Sequence, residues 1–336
     1  MLATMRTGAA AAAAFIGCLM APLAGAQTPG PDSASIWTLQ DENASISAAA
    51  LSDRYYTNGI RLGWVSREGG APDSLENLGR TLWGDGRMRI GLDLSQRIFT
   101  ADDTISGNPP PTDRPFAGVL LATASLLHDD AAGARSVLAV ALGMVGPSAL
   151  GETTQNNFHD LIGQKKVEGW NTQLHDEPVF QFLGERTWRL PVARFGGIET
   201  DALPSLTGAA GTLRVYGQTG VIFRLGQGLD ADYGVARMRP APTGTDVFRP
   251  TRSFAWYVFA GADEQAVGYD VTLEGNLWQD SRSVKLQPLV SELEAGLALM
   301  ISGVRLTYTQ ALRSQEFKHQ QGGLHQFGSL ALSVRF

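Results

Sequence analysis

The amino-acid sequence predicts an all-β chain, a transmembrane antiparallel β-barrel of about twelve strands, and three observations carry that expectation. Near the end of the chain Leu330, Leu332, Val334 and Phe336 are apolar, while Ala331, Ser333 and Arg335 between them are small or polar. A period of two puts one set on each face of a strand, which suits a wall between lipid and a polar interior. Runs of the same kind, short and bounded by glycines or aromatics, recur along a chain with 39 glycines in 336 residues; such spacing favours strands and turns. Finally, an apolar run over 9–20 leads to Ala24 and Ala26, the small-x-small pattern of a secretory signal occupying 1–26. No later run reaches the roughly 20 apolar residues of a spanning helix, so a membrane fate leaves the closed barrel.

Taken in order, the candidate strands fall near 34–46, 54–66, 87–100, 114–127, 134–147, 176–189, 210–225, 254–262, 267–277, 289–301, 303–313 and 325–336. A further run over 194–205 is set aside, because Pro204 removes a ladder donor and two adjacent glycines interrupt it. Twelve is also an even number, as bacterial single-chain barrels require. With a first strand running outward, 101–113, 148–175, 226–253 and 278–288 become outer loops. The connections 67–86 and 190–209 then lie on the periplasmic side. Residues 27–336 are expected to form one domain, a barrel with excursions, since no stretch has a linker's composition.

Composition narrows the classes of function. Cys18 falls inside the expected signal behind a poor lipoprotein box, which leaves the mature chain without thiols for disulfides or soft metal sites. A formal net charge of -6 gives no electrostatic case for nucleic acid. No Gly-x-Ser-x-Gly occurs, and Gly146-Pro-Ser-Ala-Leu150 lacks the final glycine of a nucleophile elbow. Asp230-Ala-Asp232 lacks the rest of an EF-type calcium loop and is expected to be a solvated turn. An apolar outer band without an evident interface favours a monomer.

Three segments are more polar than a barrel wall requires: Asp41-Glu42-Asn43 with 51–64, then 112–118, and then 156–178, which carries His159 and His175. Strand parity brings all three to the outer rim, as a hydrolytic site assembled from separate elements needs. His128 falls at the other rim and is not a candidate. Tyr55, Tyr56 and Trp64 are read as wall or girdle aromatics.

Asp53-Arg-Tyr-Tyr-Thr-Asn-Gly59 preceded by Glu42-Asn43, Asp113-Arg-Pro-Phe-Ala-Gly118, His159-Asp-Leu-Ile-Gly163 with Gly169-Trp-Asn-Thr-Gln173 and Glu177-Pro178, and Glu316-Phe-Lys318 with Phe327-Gly-Ser-Leu330 occur in this order. Over nearly the whole mature chain this arrangement resembles the outer-membrane lipid A 3′-O-deacylase family, the LpxR-like proteins. The resemblance implies a twelve-stranded barrel of the bacterial outer membrane that removes the 3′-linked acyloxyacyl group of lipid A, part of lipopolysaccharide, with calcium. It implies that His159 is the general base, that Asn43 belongs to the site, that Thr57 lies beside it and that Gln155 matches the pattern four residues before the His. An acidic residue is expected shortly after the His; Lys165 and Lys166 fill the closest places, so Glu168 is the nearest candidate.

Glu42, Asn43 and Thr57 are the expected calcium ligands, completed by carbonyls and water to the six to eight oxygens calcium prefers. The family's Glu-Asn-Asp reads Glu42-Asn43-Ala44 here. Ala44 withdraws a carboxylate, and Asp41 is expected on the face opposite residue 44 of a regular strand unless a bulge intervenes. Arg54 and Arg114 are the expected phosphate contacts, or else ion-pair partners of Asp53 and Asp113. The implied reaction is ester hydrolysis: neutral His159 accepts a proton from the attacking water, and calcium or the Asn43 amide meets the oxyanion. The alternative is an inactive family member, a structural barrel or pore, for which Ala44 speaks.

Overall fold

The computed structural model describes residues 30–47, 54–235, 238 and 247–336; the expected signal and Asp53 lie outside them. Its strands are β1 (Ile36–Asn43), β2 (Tyr55–Val65), β3 (Gly86–Thr100), β4 (Ala117–Asp130), β5 (Ala134–Val145), β6 (Glu177–Trp188), β7 (Leu190–Phe195), β8 (Ile198–Gly211), β9 (Arg214–Gln227), β10 (Phe254–Asp270), β11 (Leu289–Ile301), β12 (Val304–Arg313) and β13 (His325–Arg335). Twelve of these close into an antiparallel barrel, sealed where β1 meets β13 and where β6 meets β8. β7 is a flap hydrogen-bonded to β8 below the end of β6.

The expected number of strands is met, but two assignments change. Residues 254–270 form one strand rather than parts of two, and the run set aside at 194–205 belongs mostly to β8. Pro204 is tolerated because it falls between two pairings on that side, with Ser205 opposite Thr187 of β6 and Ala202 opposite Leu190 of β7. The adjacent glycines Gly196 and Gly197, at φ 55° and 82°, form the two-residue turn of the β7–β8 hairpin. These changes reverse the runs 210–225 and 254–262, so the described residues of the connection between them, 228–235, 238 and 247–253, lie toward the rim opposite the one expected.

Ser35 and Phe336 exchange main-chain hydrogen bonds of 3.1 and 2.9 Å at that opposite rim, here the terminal rim. Among the described residues, the loop rim carries 44–47, 54, 101–116, 146–176, 212–213, 271–288 and 314–324.

The wall is inverted relative to a water-soluble core. Leu39, Leu94, Leu142 and Phe182 point outward and are each more than half exposed, whereas Arg61, Arg224, Arg305 and Arg313 point inward and are almost fully buried. Each outward leucine left in water would forgo roughly 1.5–3 kcal/mol of burial, so the outer surface belongs in lipid. The inward cations are paired: Arg61 Nε donates to Asp93 at 2.8 Å, Arg313 Nε to Glu292 at 2.7 Å and Arg224 Nε to Asp201 at 2.9 Å.

The described residues of the terminal-rim connection fold into this lumen. Asp232, expected in a solvated turn, is buried and accepts from Arg224 Nη1 at 2.5 Å, Arg305 Nη1 at 2.9 Å and the Tyr257 hydroxyl at 2.9 Å. Phe248 is fully buried beneath Arg305, and the Met238 N–H donates to Glu42 Oε1 at 3.1 Å. A short helix, α1 (Asp73–Trp83), covers the outer wall near the terminal rim: Gly79 seats directly on Met88, and Trp83 stacks on His128 at 5.5 Å.

Candidate active site

Strand alternation sorts the residues of β1. Gln40 and Glu42 are buried toward the lumen, while Leu39, Asp41 and Asn43 lie on the outward face, and Ser45 continues that face in the single 3-10 turn Ala44–Ile46. A register shift between Tyr56 and Asn58 at the start of β2 makes Thr57 an extra residue. Thr57 and Asn58 therefore both face the side on which Asn43 lies, an outcome that regular alternation forbids and a bulge permits.

The other wall is α2 (Gly151–Ile162), which lies across the outward face of β3 and β4. Its approach depends on two glycines: a Cβ on Gly118 would meet Gly151 N at 3.0 Å, and one on Gly151 would meet the Trp170 ring at 2.8 Å. Gly151, Gln155 and His159, spaced by four, form the buried stripe of the helix. Trp170 Nε1 donates to Gln155 Oε1 at 3.0 Å and packs edge-on against Phe116. Asn156 clamps the returning chain, accepting from Val167 N–H at 2.8 Å.

At the end of α2, Gly163 adopts φ 71°, the left-handed conformation that suits glycine after a helix. The chain turns back there, and the Lys165 carbonyl comes within 2.7 Å of His159 Nδ1. A carbonyl can only accept, so Nδ1 carries the proton of the neutral ring and Nε2 is its basic nitrogen.

Between α2 and the barrel wall lies a cleft of about 530 Å³. Its apolar lining is Leu39, Ile60, Ile98, Phe158 and Ile162; its polar lining includes Asp41, Asn43, Ser45, Thr57, Asn58, Gln155, His159 and Gln164. Leu39 and Ile60 also belong to the lipid-exposed wall. The cleft thus opens sideways toward the membrane.

Four of the expected site residues, Asn43, Thr57, Gln155 and His159, meet in this cleft. Four do not. Glu42 faces the lumen, held by Tyr56 Oη at 2.7 Å and Gln40 Nε2 at 3.1 Å. Glu168 is exposed outside the cleft, its N–H bound to the Thr104 carbonyl at 3.0 Å. Arg54 pairs with Asp102. Arg114 is buried inside the barrel mouth, donating to Glu316 at 3.0 Å and Thr272 at 2.6 Å, and burial pushes its guanidinium down to about 10 against the pull of Asp270. A phosphate outside the barrel cannot reach it; its partner is Glu316, while Asp113 caps the N–H groups of Arg114 and Asp102.

Ala44 is fully buried and does not line the cleft. Sequence reasoning missed Asp41 and Asn58 as cleft residues. Their signal was parity with Asn43: positions 41 and 43 share a face, and residue 58 is paired with residue 43.

A family model described as outer membrane protein LpxR matches residues 11–336. Among solved structures, LpxR from Salmonella typhimurium superposes with a TM-score of 0.74 at 18% identity, covering 90% of this chain and 100% of that one. The β domain of the Bordetella autotransporter BrkA follows at a TM-score of 0.41 and 10% identity, with 91% and 99% covered. No curated protein matches in sequence.

Proposed function

Because this chain belongs to the LpxR family of outer-membrane proteins, we propose that it is a lipid A 3′-O-deacylase, hydrolysing the 3′-linked acyloxyacyl ester in the outer leaflet. The observation that carries this reading is a histidine of fixed tautomer in a cleft that opens from the barrel wall into the membrane. An acyl chain enters along Leu39, Ile60 and Phe158 without leaving the apolar phase, which places its ester beside His159. Nε2 takes the proton of a water that attacks the ester carbonyl, while the Lys165 carbonyl holds Nδ1–H and steadies the imidazolium that forms. Asn43 spends its Oδ1 on Ser45 N–H at 2.7 Å, so it offers its amide hydrogens to the oxyanion. All these groups come from one chain, and the proposed working unit is a monomer.

The lining consists of oxygen donors and one imidazole, which suits a hard cation. Of the three expected ligands, however, Glu42 faces away, and Asn43 and Thr57 use their oxygens on Ser45 and on Thr100, the latter at 2.9 Å. Other oxygens of the cleft would have to hold calcium, which would supply positive charge to the ester carbonyl.

The pore alternative has little support, because paired arginines together with Asp232, Met238 and Phe248 occupy the lumen. Mass spectrometry of lipid A from cells expressing the wild type or His159→Gln tests the proposal. Loss of one acyloxyacyl unit with the wild type only is the expected result. Unchanged lipid A with both proteins folded in the outer membrane would overturn it.

A further inference from the structure

We propose that α1 docks on a lipid surface: Leu78 and Leu82 enter the acyl region of the glycerophospholipid leaflet on the terminal-rim side, and the opposite flank of the helix stays among head groups and water. The inference goes beyond the deacylase reading and rests only on the barrel and its outward apolar wall.

The connection between β2 and β3 is longer than a hairpin needs, and α1 fills most of it. At about 100° per residue its side chains sort into three lines. Leu75, Gly79 and Trp83, spaced by four, form the line toward the barrel: Gly79 sits on Met88 and Trp83 stacks on His128. Leu78 and Leu82 lie about 60–100° to one side of that line, and they are 44% and 50% exposed. Glu76, Arg80 and Asp73 lie about 60–120° to the other side, where Arg80 donates to Glu76 at 3.2 Å and Asp73 is exposed. The apolar stripe of a helix on a water-soluble core faces that core. Here the stripe continues past the line of contact, and on one flank alone. A helix with protein beneath it, leucines on one flank and charges on the other fits the boundary between lipid and water.

The height of α1 on the wall agrees. By alternation Met88, Leu92, Leu94 and Ile98 of β3 all point outward. Met88 is buried where α1 covers it, Leu92 and Leu94 are more than half exposed, and Ile98 lines the cleft beside α2. Met88 and Ile98 are ten residues apart on β3. At about 3.4 Å per residue and a strand tilt of about 40°, that span is about 26 Å along the membrane normal, against an apolar band of about 25 Å for such barrels. The helix and the cleft therefore mark the two boundaries of the band. Lipid is the occupant because the leucine flank continues the wall that Leu92 and Leu94 present to acyl chains. Arg80, exposed on the opposite flank, suits the phosphates of the head groups.

Cys18 is the one cysteine of the chain and lies in the expected signal, so single nitroxide labels can be attached to the mature barrel. Leu78→Cys, Leu82→Cys, Asp73→Cys, Asn77→Cys and, as the wall reference, Leu94→Cys are labelled and reconstituted in vesicles of phosphatidylethanolamine and phosphatidylglycerol. Power saturation compares access of oxygen, which concentrates among acyl chains, with access of a nickel chelate, which stays in water. The oxygen-to-nickel ratio is expected to be several-fold higher at 78 and 82 than at 73 and 77, departing from them in the same direction as at 94. Equal ratios on the two flanks overturn the inference. Labels at 78 and 82 shielded from both reagents also overturn it, since a protein partner or a second copy would then cover the helix. Heat-modifiable gel migration reports a closed barrel for each variant, and if one leucine variant does not fold, the other decides.

Discussion

The Lys165 main-chain carbonyl orients His159, so the positioning of the ring depends on backbone shape after α2. Gly163 sets that shape. Gly163→Val forces a branched residue to φ 71°, at a cost of about 1–2 kcal/mol. The expected outcome in steady-state assays on lipid A micelles is a fall in kcat larger than any rise in KM, because the barrel-wall side of the groove, Leu39 and Ile60, is untouched. The same scale explains what was legible in the site. His159, Gln155, Asn43 and Thr57 stand in recognisable motifs, whereas Asp41 and Asn58 have no motif and were found through the alternation of β1 and the bulge of β2. Inside the barrel, Asp232 joins Arg224 and Arg305. Burial works to raise its carboxyl, but the two guanidiniums, the Gly234 N–H and Tyr257 outweigh it and hold it below the ordinary 3.8. A depressed carboxylate stabilises the fold above its unfolded pKa and loses that contribution as pH falls through the folded value. Thermal unfolding of the detergent-solubilised barrel should therefore show the Asp232 contribution intact above about pH 4 and fading below it. Asp232→Asn should remove about 3–5 kcal/mol at neutral pH and flatten that acid response.

At the scale of elements, α2 is placed by contact between glycines more than by side-chain packing. Gly118→Val would drive a side chain into the backbone at Gly151 and lift the helix from β4. Deacylation is expected to drop about 10²-fold, as for catalytic groups misplaced by about 1 Å, while heat-modifiable gel migration still reports a closed barrel; unchanged activity would show that α2 is not held there. The strands themselves were legible wherever outward apolar residues alternated with small inward ones, as in β13. The reading failed at β10 and β8 for opposite reasons. β10 carries Asp263 and Gln265 in its middle, which look like a turn until the lumen is recognised as the polar phase that receives them. β8 carries a proline, which is excluded from a continuous ladder but harmless at the gap between two partner strands.

At the scale of the molecule, the barrel is a filled cylinder with its working surface outside. Arginine pairs and the inward-folded connection leave the interior to protein, so reconstitution into planar bilayers is expected to give no steady conductance; a stable ohmic current would contradict the packing of Asp232, Phe248 and Met238. The sideways opening past Leu39 and Ile60 has a kinetic consequence. The proposed substrate would reach the cleft by diffusing within one leaflet, so the concentration that governs turnover would be a mole fraction in a plane. Adding inert detergent at constant bulk lipopolysaccharide should slow the reaction by surface dilution alone. On the proposed deacylase reading, each released chain would stay in the leaflet from which it was cut, so the enzyme would change the composition of its own solvent as it works.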